Sequence, residues 1–415
     1  MIKVKIVNRS NKEQLSICGN DPQQEGEETM DFEIPEIDEK AVAAAALEEE
    51  GIKNDYVGAV QYAIIGSGQG GSRIAESFYS FGYKKCIIVN TAESDLSKIG
   101  IPENQKLFMK MGGEQGAGKD MIKGAAAAKR YEQEILDKMK KIFGKCDRII
   151  VTIGAGGGTG GGSVFALLDI ARKYMKYISV DNANSKIGVV CAIPKDGECI
   201  SAIVAENAIT VLEPLCAAAE AGDISPLIIV DNNKTSKLYP NLTMTQYWST
   251  INKAIAGMFN VFNNMATRHT EYTTFDAADY GKIMSVGGCL IMGATKVKDY
   301  NDKHAIGLSI KSNLEKTLFA EGFDLNTAKA AGSIVVGGDV LFNTVQGLPD
   351  AINYGFDMLA SITGNAVVYR GVYQESGSSI VVYNIIAGLN GPVQRLEALR
   401  KFTKPAKTNL YNETK

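Results

Sequence analysis

Three glycine-rich stretches and one pair of acids are the parts of this 415-residue sequence whose residue types could do chemistry. The longest, Gly154–Ser163, reads GAGGGTGGGS, seven glycines in ten residues, between the apolar run RIIV and the helical pattern FALLDIARKYMKYI. Glycine loses more conformational freedom on folding than any other residue. It is worth that cost where successive backbone N–H groups must turn toward one anion and a helix N-terminus adds its dipole. A flexible linker is excluded by context, because linkers do not sit between a buried strand and an amphipathic helix. The chemistry implied is polyphosphate binding.

The other two loops are less specific. Gly66, Gly68 and Gly71 form G-x-G-x-x-G after a strand and before a helix, the spacing of a dinucleotide fingerprint. The following strand ends at Asn90-Thr91, without the acid that would hold an NAD ribose. In GGEQGAGKD, Gly113, Gly118 and Lys119 satisfy G-x-x-x-x-G-K, but Asp120 replaces the hydroxyl residue that a P-loop gives to Mg²⁺. The preceding KLFMKM also reads poorly as a strand, so a P-loop is excluded and a glycine loop near phosphate remains. The acids are Asp276 and Asp279 in TTFDAADYGKIM. Three residues apart at a helix start, they share a face. By themselves they are either capping acids or a pair that polarises water.

The elements that must hold these loops alternate. Strands YAII, CIIV, RIIVTI, KIGVVCAI and PLIIVD are separated by helical segments, which implies a parallel sheet covered on both faces. The expected organisation is an acidic extension over 1–58, either solvated or docking on a neighbour, and a Rossmann-like α/β nucleotide-binding domain over 59–243. A long central helix over 244–268, a smaller α+β domain over 269–398 and a polar tail over 399–415 complete it. A net charge of −3 argues against a surface devoted to nucleic acid or anionic lipid. The start MIKVKIVNRS lacks a signal-peptide apolar region, and no run reaches the length of about 20 residues that spans a bilayer, so a cytoplasmic protein is expected. Seven dispersed cysteines read as reduced and buried, and two histidines make no zinc site.

With the GGGTGGG loop (Gly156–Gly162) in place, the chain from about 60 to 400 resembles the tubulin/FtsZ superfamily. Within it, the closer likeness is to the divergent plasmid and bacteriophage tubulins, with an FtsZ-like division GTPase as the alternative. A Rossmann-type NAD enzyme is the alternative outside the family. The resemblance implies a GTP/GDP site with Mg²⁺. Gly68, Gln69, Gly70 and Gly71 match the first phosphate loop, Gln69 lying near Mg²⁺ through water; no side chain is implied as a direct metal ligand. Asn90 matches the start of the second loop, although Ala92 replaces its acid. Gly116, Ala117 and Gly118 match the γ-phosphate loop, and Gly156, Gly157, Gly158, Thr159 and Gly160 the main one. Glu198 stands where FtsZ binds ribose, without the following arginine. Asn232 stands where the base or ribose is contacted, Asn252 where the base is read, and Trp248, one turn before Asn252, where an aromatic covers it. Asp276 and Asp279 match the acids of the loop that enters the next subunit's site. The partners implied are further copies of the chain, head to tail, and a cargo or DNA-bound adaptor, with neither direct nucleic-acid binding nor membrane insertion.

Overall fold

The structure, a computed structural model, describes residues 53–112, 115–300, 302–315 and 317–403. The acidic extension up to residue 52 and the tail beyond 403 lie outside the described residues. Among the described residues ten strands form one sheet: β1 Tyr62–Ser67, β2 Cys86–Asn90, β3 Lys106–Phe108, β4 Arg148–Gly154, β5 Ile187–Ile193, β6 Leu227–Asp231, β7 Cys289–Val297, β8 Ala330–Gly338, β9 Val367–Glu375 and β10 Ile380–Leu389. Their order is β3-β2-β1-β4-β5-β6-β7-β10-β8-β9. From β3 to β6 all neighbours are parallel, and β1 and β4 run in register from Tyr62↔Arg148 to Ser67↔Ile153. β10 is antiparallel to both β7 and β8. The second region therefore continues the first sheet, joined through the single pairing Leu227↔Cys289.

Helices cover the sheet: α1 Gly68–Ser80, α2 Glu93–Leu96, α3 Met121–Arg130, α4 Glu132–Ile142, α5 Gly158–Tyr177, α6 Ala202–Ala221, α7 Asn232–Leu238, α8 Met244–Met265, α9 Ala277–Ile283, α10 Ala305–Glu315, α11 Asp339–Thr344, α12 Leu348–Ile362 and α13 Val393–Thr403. The apolar runs that read as strands are buried along nearly their whole length, as a sheet covered on both faces requires. KLF does form a short edge strand, against the reading of that stretch as unsuited to one. The last helix runs to Thr403 with Leu399 buried, past the expected boundary at 399.

α6 corrects another expectation. By length and composition it is apolar enough to cross a membrane, yet it is a core helix. It packs against α5, β6, β7 and α13, and its exposed Glu206 and its Glu213, bonded to Arg400, face outward. The six described cysteines are all buried and unpaired; Cys18 lies outside the described residues.

α8 is held by aromatic contacts beneath the sheet. Phe259 meets Tyr62 at 4.7 Å and Phe78 at 5.3 Å between ring centroids, both edge-on. Such pairs contribute about 0.5–1.5 kcal/mol each beyond burial. They fix α8 against β1 and α1, and so set where its first turns stand beside the glycine loops.

Candidate nucleotide site

The C-terminal ends of β1, β2, β4 and β5 open into one cavity of about 590 Å³. This is where α/β sheets bind ligands, outside the carboxyl ends of their parallel strands. Its floor is backbone. Gly68, with φ +68°, would place a Cβ 2.8 Å from the Gly160 nitrogen, so the first and third loops touch without side chains between them. Ser67 Oγ and Ser163 Oγ lie 2.7 Å apart, joining the first loop to the third, and Thr91 Oγ1 and Thr159 Oγ1 lie 2.5 Å apart, tying the third to the tip of β2. Asn207 of α6 donates to Lys119 O at 2.8 Å and Gly156 O at 3.4 Å, joining the second loop to the third.

Two helices begin at this floor, α1 after Ser67 and α5 after Gly157, and neither has a side-chain cap. The first N–H groups of a helix have no intrahelical partner, so both termini present donors and positive dipole ends to the cavity. Neither helix has an acid in its first turn that would compete. Arg73 and Lys119 add cationic side chains to the lining, and Asp95 and Glu198 add acids. Gln69 Nε2 donates to Asp95 Oδ1 at 3.4 Å. Asn90 Oδ1 accepts from Ala92 N, while its buried Nδ2 has no partner.

At the far end stand Trp248 and Asn252 of α8 and Asn232 at the start of α7. Trp248 is half-buried and meets Tyr247 edge-on at 5.0 Å, rather than lying in the core. Tyr247 is fixed in turn, its hydroxyl 2.8 Å from Thr235 Oγ1 and 3.3 Å from Asn232 O. Asn232 and Asn252 are buried residues, and among the described residues neither carboxamide has a hydrogen-bond partner. Two such amides facing a cavity beside an indole can pair with the edge of a planar base. Glu198 sits at the mouth, its Oε2 accepting from Lys195 N at 2.8 Å.

Gly68, Gln69, Gly70, Asn90, Gly116, Ala117, Gly118, Gly156, Gly157, Gly158, Thr159, Gly160, Glu198, Asn232, Trp248 and Asn252 thus line one cavity. Gly71 does not. A Cβ there would fall 2.0 Å from Thr152 O, and its own carbonyl accepts from Thr152 Oγ1 at 2.8 Å, so it seats α1 on β4. Asp120, the residue that breaks the P-loop pattern, caps α3 through Ile122 N and Lys123 N. Sequence reasoning missed Arg73, Asp95 and Asn207. Arg73 was legible as the residue one turn after Gln69 on the same helix face; nothing local marks Asn207.

Asp276 and Asp279 lie outside the cavity. Asp276 Oδ1 accepts from Ala278 N at 2.8 Å and Asp279 N at 2.9 Å, and Asp279 Oδ2 accepts from Asp276 N at 3.3 Å. This is a reciprocal capping box at the start of α9, so capping is one role of the pair. Asp276 remains exposed, and each carboxylate keeps one oxygen outside the box. Burial, helped by the Asp276 charge, raises the Asp279 pKa, while the Asp276 N–H and Lys282 oppose the rise. Phe275 anchors the loop: it is buried, and its N–H donates to Tyr373 OH at 3.0 Å.

Comparison with known proteins follows the same lines. Residues 61–239 match the family model described as Tubulin/FtsZ family, GTPase domain. The tubulin-like protein TubZ of Clostridium botulinum C phage is 26% identical over 266 residues, 64% of this chain and 66% of the relative. TubZ of Bacillus cereus matches over 58% of this chain and 56% of its own length, so the chain aligns with less than two thirds of these relatives. Cell division protein FtsZ 2 of Halobacterium salinarum is 25% identical over 325 residues, 76% of this chain and 75% of the relative. Among solved structures, a GTPγS-form protofilament of Bacillus thuringiensis serovar israelensis TubZ superposes with TM-score 0.71 at 19% identity, covering 83% of this chain and 92% of that one. A GTPγS-bound protofilament of Haloferax volcanii CetZ2 gives TM-score 0.66 at 19% identity, covering 82% and 98%. The fold is that of these proteins, and residues 61–239 match the GTPase domain of the tubulin/FtsZ family.

Proposed function

We propose that the protein binds GTP in this cavity, hydrolyses it, and polymerises head to tail into filaments. The observation that carries the reading is the convergence of two uncapped helix N-termini on a floor of glycine backbone, with unpartnered carboxamides at the other end. The first suits a polyphosphate and the second a guanine. The first loop, the loop around Gly116–Lys119 and the loop from Gly154 to Ser163 hold the phosphates; Asn232 and Asn252 read the base and Trp248 covers it. Gly66–Gly71 alone would also fit a dinucleotide enzyme, but that reading leaves the α5 loop without a task.

Mg²⁺ fits the donor set: Gln69, Asp95 and Thr159 bring oxygens to the lining, and a hard cation shared with phosphates takes few protein ligands. When bound, it neutralises charge that develops on the transferred phosphoryl group.

Asp276 and Asp279 belong to the face away from their own cavity. In a head-to-tail stack, those acids of the adjoining subunit reach the γ-phosphate and orient the attacking water, so hydrolysis requires assembly. Relatives whose structures are protofilaments, and one described as a plasmid-segregation TubZ, support self-association and a role in positioning plasmid or phage DNA through an adaptor. Phosphate release per subunit, followed against protein concentration, tests the composite site. Turnover should rise steeply above a critical concentration and vanish below it; constant turnover down to the monomer would overturn the reading.

A further inference from the structure

Arg148, the first residue of β4, is buried to 4% exposure, and no carboxylate of the described residues pairs with it. Burying an arginine without a carboxylate is costly unless other groups satisfy its donors. Here they come from α9. The guanidinium donates to Met284 O at 2.9 Å, Gly281 O at 3.4 Å and the Ser285 hydroxyl, and to Ser185 O at 2.8 Å outside the helix. The carbonyls at a helix C-terminus carry the negative end of its dipole, so a cation belongs there. Beside Arg148, in register across the β1–β4 ladder, Tyr62 OH donates to Tyr280 OH at 3.0 Å. Ser225 Oγ adds a bond to Met284 O at 2.8 Å.

α9 has seven residues, about 10 Å of helix, with Asp276 at its first end and these anchors at its last. A two-turn helix has little intrinsic stability, so external contacts must fix its roll and tilt. The far ends of the same strands, Ser67 and Gly154, open the phosphate loops of this subunit. One pair of strands therefore carries the subunit's own nucleotide floor at one end and the acid-bearing helix at the other.

We propose that the in-register pair Tyr62–Arg148 positions the acids: by gripping the C-terminus of α9 it sets the geometry in which Asp276 and Asp279 meet the next subunit's nucleotide. This rests on the reading that those acids act on the neighbouring subunit. Tyr62 and Arg148 are positioning residues, since neither lines the cavity.

The test uses full-length Arg148→Lys, Tyr62→Phe, Asp276→Ala and the double variant Asp276→Ala/Arg148→Lys. GTP affinity, the sedimenting fraction and phosphate release per sedimented subunit are measured for each. Arg148→Lys keeps the charge but cannot reach the same set of carbonyls; its turnover per assembled subunit should fall about tenfold or more, as small misplacements of reacting groups do. Its GTP affinity should stay within about twofold, since the lesion lies at the opposite end of the strands. Tyr62→Phe should shift turnover the same way by less, and it decides the matter should Arg148→Lys not fold. The double variant should be no slower than Asp276→Ala alone, because the lysine acts only through the acids. Wild-type turnover in both single clamp variants, losses that multiply in the double variant, or a fall in GTP affinity matching the fall in turnover would each overturn the positioning role. Full turnover in Asp276→Ala would overturn the composite-site reading and this proposal together.

Discussion

Asn252 and Trp248 stand one turn apart on α8 and are expected to fail differently. Asn252→Leu removes a donor and an acceptor from the edge of the base, and each lost bond is worth about 1–3 kcal/mol when its partner is left unsatisfied. GTP affinity should fall by about 30-fold or more, with little change for ATP, and the GTP/ATP ratio should collapse in a titration of both. Trp248→Ala removes a stacking face that every base possesses, so both affinities should drop together, by about 1–3 kcal/mol. Asp279 makes a prediction in pH. Its folded pKa is raised above the ordinary carboxylate value, so the ionised form is lost earlier as pH falls. The acid limb of turnover per assembled subunit should therefore lie above the ordinary value of about 4, and a limb at or below it would exclude Asp279 as the titrating group. At this scale the sequence was informative where residues belong to one contiguous motif, as from Gly156 to Gly160. It was silent on Asn207, which lies far along the chain from the two loops it joins and carries no motif of its own.

Between elements, glycines do a second job that the motif conceals. A Cβ on Gly124 of α3 would fall 2.1 Å from Gly158 O, and one on Gly162 of α5 would fall 2.2 Å from Met121 O. Part of the GGGTGGG run therefore lets α3 and α5 touch backbone to backbone, while Gly156–Gly158 and Gly160 face the cavity. Gly124→Ala should push the helices apart and cost about 1–3 kcal/mol, as overpacking does. Gly197→Ala, with nothing within 4 Å of its Cβ, is the control. Urea midpoints of the two variants would separate the effects, and equal midpoints would contradict the contact. The long strands and helices were legible from periodicity and burial. Other short elements were not: α2, α7 and α11 have four to seven residues, too few to show a helical period. Between Met121 and Ile142 the helical run breaks at Tyr131 into α3 and α4, without a glycine or proline at the break to announce it.

The whole molecule is closed by its last helix. Arg395 of α13 reaches back to the tip of β6, with its Nε 2.9 Å from Asp231 Oδ2 and its Nη1 3.0 Å from Asp196 Oδ1. Burial raises the Asp231 pKa, and the charge of Arg395 pulls it back. Arg395→Met would leave that carboxylate buried without a counter-charge, at a cost of about 3–5 kcal/mol at neutral pH. A raised folded pKa means that ionised Asp231 costs stability above its unfolded pKa, and the cost shrinks as pH falls through the folded value. The gap in urea midpoint between variant and wild type should narrow from neutral to mildly acidic pH; a gap that widens would contradict the assignment. That one sheet spans both halves was not legible, since the joint at Leu227↔Cys289 is a tertiary pairing with no local signature. The backbone contact between Gly68 and Gly160 has a thermodynamic consequence for the ligand. Where a cradle is made of main chain, no rotamers remain to be frozen when a phosphate arrives. The entropy of binding then divides along the cavity: the phosphate end is prepaid by folding, and only the end built from Asn232, Trp248 and Asn252 must settle around its guest.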